Sequence, residues 1–164
     1  MIIALTGHRE QRLNLSNDVT ANEWCGIRHW IRQEIINNKA DEVFSGLASG
    51  SDMAMAYEAA KMKDEGHRIK LKLVLPCPDY GMRTPNYDYV YRRADKVITI
   101  YDHWFKGCDD GRDDYMAKNC DIMLAIFDGN RTGGVWSTIN KAHNYGKTVI
   151  NCPLNLYLHN ELNQ

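Results

Sequence analysis

The chain has 164 residues, of which 44% are hydrophobic and 25% are charged, and its formal net charge at pH 7 is −1. These values fit one globular domain with a substantial core. The near-neutral charge argues against a general nucleic-acid binder, which is usually basic. No apolar run reaches the length needed to cross a bilayer, so we expect no membrane partner.

Apolar runs alternate with helical patterns along the whole chain. Strands are predicted over residues 1–6, 42–45, 70–75, 96–101, 121–127 and 147–151. Helices are predicted near residues 20–38, 51–65, 86–94, 112–119 and 134–145. Nearly continuous apolar strands are typical of a parallel sheet that is covered on both faces. We therefore predict a single-domain, three-layer Rossmann-like α/β fold with a mostly parallel, doubly wound sheet of about six strands. The domain spans residues 1–152, and a C-terminal tail spans 153–164.

The cysteines and the N-terminus both favour a cytoplasmic protein. There are five cysteines, an odd number, and none forms a C-x-x-C pair. Free thiols are therefore expected, and no zinc site is indicated. The segment Met1–Leu5 is apolar but lacks a basic leader, which favours a first strand over a signal peptide. We expect neither a metal nor a cofactor.

Ligands of doubly wound sheets bind at the carboxyl ends of the strands, so each loop after a strand is a candidate wall of the site. The first is Thr6-Gly7-His8-Arg9. Gly7 permits a tight turn. Arg9 could hold a phosphate or carboxylate, or it could be an ordinary surface arginine.

The second loop is rich in glycine and serine and joins a strand to a helix. Such a turn gathers backbone N–H groups at the positive end of a helix dipole, where anions bind. Its spacing is neither that of a Walker A motif nor that of G-x-G-x-x-G. Simple capping of the helix by Ser51 and Asp52 is the alternative. The residues expected at the ligand are Ser45, Gly46, Ser49, Gly50, Ser51 and Asp52.

The third and fourth loops, 101–113 and 128–134, complete the predicted site. In the third, Trp104 or Phe105 could stack on a base or be held by the core, and Arg112 and Asp113 open a helix. In the fourth, a second glycine-rich turn precedes a helix, and a flexible turn before a capped helix is the alternative. Two such turns point to a nucleotide or a phosphorylated sugar. The ligand residues expected in the fourth loop and the helix after it are Asp128, Gly129, Gly133, Gly134, Ser137 and Thr138.

These segments together resemble the YpsA-like branch of the SLOG superfamily, which comprises Rossmann-like proteins related to LOG and to the DprA core. The resemblance runs from about Met1 to about Ile150. The matching blocks are Thr6 to Arg9, Ser45-Gly46 with Gly50 and Asp52, Asn86-Tyr87 through Asp95, Arg112 to Met116, Cys120-Asp121, Leu124 to Gly129, Gly133-Gly134, Thr138, Ala142, and Gly146 to Ile150.

The resemblance implies a fold that binds nucleotides or nucleotide-derived ligands. LOG proteins cleave the N-glycosidic bond of a nucleoside monophosphate with a P-G-G-x-G-T-x-x-E motif whose glutamate is catalytic. When the motif is aligned on Gly133-Gly134, Thr132 replaces the proline and Asn140 replaces the glutamate. Glycoside cleavage needs a carboxylate beside the sugar, which Asn140 does not supply.

We therefore expect a module that binds a nucleotide or nucleotide-derived ligand at the carboxyl edge of the sheet, as a sensor, sponge or regulatory protein. The alternative is a nucleotide N-glycosidase, a LOG-like phosphoribohydrolase with a relocated carboxylate, for which Asp52, Asp113 and Asp128 are the catalytic candidates. A DNA-associated role is the least supported, because no basic stripe is present. SLOG relatives often pair through helices, so a homo-oligomer is expected, with Tyr87 to Tyr91 as a candidate surface.

Overall fold

Six parallel strands form one sheet at the centre of the protein, in a computed structural model that describes residues 1–158. The strands are β1 (Ile2–Gly7), β2 (Glu42–Ser45), β3 (Lys70–Leu75), β4 (Lys96–Thr99), β5 (Ile122–Ile126) and β6 (Thr148–Asn151). They lie in the order β4-β3-β2-β1-β5-β6, and each neighbouring pair is parallel. The predicted Rossmann-like α/β fold with about six strands is confirmed.

Helices cover both faces of the sheet, and within residues 1–158 no helix is long and apolar enough to cross a membrane. The helices are α1 (Glu10–Leu13), α2 (Cys25–Asn37), α3 (Ser51–Asp64), α4 (Tyr87–Arg93), α5 (Cys108–Asn119), α6 (Gly133–Asn144) and α7 (Leu154–Tyr157). Successive residues of a strand face opposite sides of the sheet. Ile3 and Leu5 of β1 accordingly pack in a core cluster with α2, α3 and α4, whereas Ala4 packs in a second cluster with α5 and α6.

Some helical segments differ from the sequence predictions. α5 begins at Cys108, four residues before the predicted position, and Asp109 and Asp110 stabilise the positive end of its dipole. The pattern over 20–38 covers a short 3₁₀ turn at Asn22–Trp24 followed by α2. α1 and α7 have four residues each, which is too short for a hydrophobic period to reveal them.

The first part of the predicted tail packs against the domain. A Cβ placed on Gly26 of α2 would lie 2.4 Å from Cδ1 of Tyr157, so the aromatic ring of α7 rests on a glycine. Residues 159–164 of the tail lie outside the described residues.

The direction of chain winding reverses at β1, and this reversal positions the site. From β1 the chain adds β2, β3 and β4 on one side, and then places β5 and β6 on the other. The loops that follow β1 and β5 consequently diverge to opposite sides of the sheet. A crevice opens between them at the carboxyl ends of the strands, where ligands of open α/β sheets bind.

Two loops at this edge are in direct backbone contact. A Cβ on Gly50 would lie 2.6 Å from the backbone nitrogen of Glu10 and 2.9 Å from the carbonyl carbon of Arg9. Gly50 also has a φ of +84°, in the region that favours glycine. A Cβ on Gly7 would lie 2.5 Å from the Cβ of Ser51. The loops after β1 and β2 thus form one packed unit.

We predict that Gly50→Ala destabilises the protein by about 1–3 kcal/mol more than Gly66→Ala. Both glycines have a positive φ, and the ψ of −124° at Gly50 adds backbone strain to the steric overlap of its Cβ. A Cβ on Gly66 meets no atom within 4 Å, whereas one on Gly50 overlaps backbone. Urea denaturation of the two variants measures the difference, and equal losses would contradict close packing of the two loops.

Candidate functional site

A cavity of about 300 Å³ lies at the carboxyl ends of β1 and β5. It occupies the crevice where the winding direction reverses. Nine of the residues proposed from the sequence line it: Thr6, Gly7, His8, Arg9, Asp52, Arg112, Asp113, Gly133 and Gly134. The structure thus brings together residues from all four predicted loops.

A buried ionic cluster forms one wall of the cavity. Arg112 of α5 is only 4% exposed and Asp52 of α3 only 7%. The Nε of Arg112 donates a hydrogen bond to Oδ1 of Asp113 over 2.6 Å, and its Nη1 donates to the carbonyl of Gly46. One guanidinium therefore joins α5 to the loop between β2 and α3.

Gly46 is required because this cluster leaves no space for a side chain. A Cβ at this position would lie 2.5 Å from Nη1 of Arg112 and 2.8 Å from Oδ2 of Asp52. The glycine that appeared in the sequence as part of a phosphate loop thus allows a cation and a carboxylate to approach the backbone from α5 and α3.

Burial changes the titration of the cluster. It raises the pKa of Asp52 to about 6, although the charge of Arg112 opposes the shift. Burial also raises the pKa of Asp113, again against the effect of Arg112. For Arg112 itself burial lowers the pKa, but Asp113 and Asp52 outweigh burial and raise it, so the guanidinium stays charged. Near neutral pH the cavity thus contains a permanent cation and a carboxyl group that can exchange a proton.

Arg9 lines the cavity and contacts Tyr80, which lies outside the lining. The exposed Arg9 donates a hydrogen bond from Nη2 to the hydroxyl of Tyr80 over 3.0 Å. The ring of Tyr80 also lies 5.4 Å from the Cζ of Arg112. Sequence reasoning missed Tyr80, although its position in the proline-bearing loop 76–85, directly after a strand, could have indicated it.

His8, Arg12 and Asp128 form a second polar cluster. Arg12 Nε donates to Oδ2 of Asp128 over 2.6 Å, and the backbone N–H of Asp128 lies 3.2 Å from Nε2 of His8. Burial raises the pKa of Asp128, but hydrogen bonds from Asn130, Arg12 and His8 outweigh burial and lower the pKa to about 2. Asp128 is therefore an ionised carboxylate that already accepts hydrogen bonds from Arg12 and Asn130. It does not line the cavity. Arg12 does line it and was missed, because it lies in the unpredicted helix α1.

The two glycine-rich turns look alike in sequence but differ in structure. In the first, the backbone N–H and the hydroxyl of Ser51 both donate to the carbonyl of His8, over 3.3 and 2.6 Å. The hydroxyl of Ser45 likewise donates to the carbonyl of Asp52 over 2.7 Å. These donors are occupied by the protein. Ser45, Gly46, Ser49, Gly50 and Ser51 do not line the cavity.

The second turn has an accessible helix start. Residues Thr132 to Val135 line the cavity, and within residues 1–158 the N-cap residue Thr132 makes no side-chain capping hydrogen bond to α6. Gly133 has a φ of +85°, and a Cβ on Gly133 or Gly134 would meet no atom within 4 Å. The first N–H groups of an α-helix lack partners within the helix. An anion could therefore approach them directly.

The remaining predicted contacts lie apart from the cavity. Trp104 is 67% exposed and lines no part of it, and Phe105 packs edge-on against Tyr101 at 4.7 Å. Gly129 is also outside the lining. The hydroxyl of Ser137 accepts from Lys141, and that of Thr138 donates to the carbonyl of Gly134.

Asn140 is exposed on α6 and does not line the cavity. The position that aligns with the LOG glutamate therefore lies away from the site in this chain. The carboxylates available inside the cavity are instead Asp52, Asp109 and Asp113.

Comparison with known proteins assigns no family to the chain: no protein-family model matches the sequence, and no curated protein gives a significant match. The fold class is thus established by the structure, and membership of the SLOG superfamily stays a prediction from the sequence blocks.

We predict that Asp52→Asn changes the pH dependence of stability. The pKa of Asp52 is about 6 in the folded protein, against 3.8 ordinarily. Between these values the folded state holds more protons than the unfolded state, so the wild type loses stability as pH rises through them. The Asp52→Asn variant lacks this loss. Relative to that of the wild type, its free energy of unfolding should therefore rise by about 3 kcal/mol as the pH rises from about 3.5 to about 7.

Urea denaturation across this pH range tests the prediction. Asp88→Asn is the matched control, because the Asp88 side chain is exposed and forms no hydrogen bond or ion pair with the described residues. A stability difference between Asp52→Asn and the wild type that stays constant with pH would contradict the assigned pKa.

Proposed function

We propose that the protein binds a nucleotide or nucleotide-derived ligand in the cavity at the ends of β1 and β5, as a sensor, sponge or regulatory protein. The observation that carries the proposal is the uncapped start of α6, which faces a cavity of about 300 Å³ at the point where the winding direction reverses. That size is at the lower end of ordinary ligand pockets.

Arg9 supports a negatively charged ligand. Three arginines line the cavity, and two of them already have carboxylate partners: Arg12 pairs with Asp128 and Arg112 with Asp113. Among the described residues Arg9 has only the neutral hydroxyl of Tyr80. Its charge is thus available, together with the N–H groups at the start of α6, for a phosphate.

The carboxylates in the wall formed by the buried ionic cluster are suited to binding the hydroxyl groups of a sugar. Asp52 and Asp113 line the same cavity as Arg9 and α6, and ionised carboxylates accept hydrogen bonds from hydroxyl groups. If a ribose hydroxyl bound at this wall, the phosphate of the same ligand would lie beside Arg9 and the start of α6. Such a division of charge favours a phosphorylated nucleoside over an inorganic anion.

We predict that Gly134→Leu weakens the binding of nucleoside monophosphates at least tenfold without unfolding the protein. The added side chain would enter open space on the protein side but would obstruct the start of α6. Titration calorimetry with AMP, GMP, CMP and UMP provides the measurement. Asn140→Leu places the same side chain on an exposed position of α6 outside the cavity and is the matched control. Equal affinities of the two variants would contradict the proposed phosphate position.

Hydrolysis of an N-glycosidic bond is the second candidate function, and one observation favours it. Asp52 lines the cavity with a pKa of about 6, which is suited to a general acid or base at neutral pH. Asp113 lies in the same wall, so Asp52 and Asp113 form a pair of carboxyl groups there, and most glycoside hydrolases use such a pair.

The enzyme hypothesis predicts release of free base from a nucleoside monophosphate, and a loss of at least 100-fold in that rate in Asp52→Asn. Chromatography of the incubated mixture detects the base. Asp110→Asn is a suitable control, because the exposed Asp110 pairs with Lys141 outside the cavity. Binding without base release in the wild type would support the binding module and reject hydrolysis.

A further inference from the structure

A second cavity, of about 460 Å³, borders the segment that joins β5 to α6. Residues Thr132 to Val135 of this segment line the first cavity, whereas Gly129, Arg131 and Trp136 line the second. The two cavities have no lining residue in common, and the function proposed above makes no use of the second. The other residues that line the second cavity are Phe127, Ile139, His143 and Asn151.

Two aromatic side chains, Phe127 and Trp136, form an aromatic pair in the wall of this cavity. Their rings are nearly parallel, with an interplanar angle of 15° and 5.7 Å between the ring centroids. Both side chains are only half-buried, so part of each ring is open to a ligand. Ile139 of α6, which is 3% exposed, adds an aliphatic surface to the same wall. Small-molecule pockets are lined mainly by such apolar and aromatic side chains, so this part of the wall favours an apolar ring over a sugar.

A guanidinium group lies beside the aromatic pair. The Cζ atom of Arg131 is 5.3 Å from the centroid of the Trp136 ring, within the range of a cation–π contact. Arg131 forms no ion pair with any other residue in the described part of the chain. A guanidinium that rests on an aromatic ring still presents a planar fork of N–H donors, and this fork matches the two oxygens of a carboxylate.

The charge of the wall indicates the sign of the ligand. None of the seven described residues that line the cavity is acidic. The neighbouring carboxylate of Asp128 does not line it and is already paired with Arg12. His143 and Asn151 add side chains that can donate hydrogen bonds. The wall thus combines apolar surface with a positive charge and hydrogen-bond donors, and it complements an aromatic group that carries a negative charge.

We infer that this second cavity binds a small, planar aromatic carboxylate, whose ring packs against the aromatic pair and whose carboxylate accepts hydrogen bonds from Arg131. A volume of about 460 Å³ lies within the range of small-molecule pockets. An inorganic anion would leave the aromatic surface exposed, and a neutral aromatic molecule would leave the guanidinium without a counter-charge. An aromatic amino acid would also bring an ammonium group, for which the wall has no carboxylate.

The probe is 2-naphthoate, and two analogues separate its features. The uncharged 2-naphthamide keeps the ring system, whereas decahydro-2-naphthoate keeps the charge and the carbon skeleton without the aromatic rings. Titration calorimetry at physiological salt should show binding of 2-naphthoate to the wild type and clearly weaker binding of both analogues. Arg131→Gln should weaken 2-naphthoate binding about fivefold, because charge-assisted hydrogen bonds are lost. Arg92→Gln removes the same charge from an exposed position on α4 outside the cavity and should leave the affinity unchanged.

Trp136→Leu tests the aromatic part of the wall. It should weaken 2-naphthoate binding about tenfold, because contact between aromatic rings is lost. Trp104→Leu is the matched control, because Trp104 is 67% exposed and lies outside the cavity. Arg131 is exposed, so Arg131→Gln places no buried group at risk and keeps the test decisive if Trp136→Leu is poorly folded.

Failure of the wild type to bind 2-naphthoate, or equal binding of 2-naphthoate and either analogue, would overturn the inference. Equal affinities of Arg131→Gln and Arg92→Gln, or of folded Trp136→Leu and Trp104→Leu, would also overturn it. A titration in the presence of AMP keeps the two proposals separate. The affinity for 2-naphthoate should not change, because the cavities share no lining residue, and competition by AMP would show that 2-naphthoate does not bind in a separate site.

Discussion

The buried guanidinium of Arg112 is the interaction on which the candidate site depends. α5 and α3 lie on opposite faces of the sheet, and Arg112 crosses the carboxyl edge between them to donate to the carbonyl of Gly46, beside the carboxylate of Asp52. A charge buried to this extent is tolerated only when carboxylates and hydrogen bonds compensate its loss of water. Asp113, Asp52 and the Gly46 carbonyl provide that compensation, and the aromatic ring of Tyr80 lies nearby. The cluster therefore determines both the separation of the two helical layers at this edge and the polarity of the cavity between them.

Features that leave a local pattern in the sequence could be predicted, whereas features that depend on contacts between distant residues could not. The strands were found because each is buried on both faces and is therefore a nearly continuous apolar run in the sequence. Residues at or after strand ends, such as Thr6 and Asp52, are expected together because parallel strands bring their carboxyl ends to one edge, and both line the cavity. α1 was not predicted, because a helix of four residues is too short to show a hydrophobic repeat. Arg12, which lies in α1, was missed for the same reason. Tyr80 was missed because its position in the loop after β3 indicates only that it lies near the carboxyl edge, and its contacts with Arg9 and Arg112 depend on tertiary packing.

The different structures of the two glycine-rich turns show what sequence alone cannot supply. Each turn places glycines between a strand and a helix, and local reasoning assigns both to an anion. The first turn packs against the backbone of Arg9 and Glu10, and the hydroxyl of Ser51 bonds to the carbonyl of His8. These partners are about 40 residues away in the chain. In the second turn no such partner from residues 1–158 approaches, and Gly133 and Gly134 border open space. Whether a glycine admits a ligand or a neighbouring backbone is thus decided by long-range packing.

The same packing determines how a ligand would act on the cavity. Asp52 has a pKa of about 6, set by burial against the attraction of Arg112. A phosphate at the start of α6 would add negative charge to a space of about 300 Å³ that Asp52 also lines. A nearby negative charge raises the pKa of a carboxyl group, so an occupied cavity would hold Asp52 protonated at a higher pH than an empty one. Arg112 cannot move to counter this change, because its Nε and Nη1 donors are bound to Asp113 and Gly46. Binding of an anion at this position would therefore be coupled to protonation of Asp52, and the coupling would link the proposed binding to the acid that hydrolysis would need.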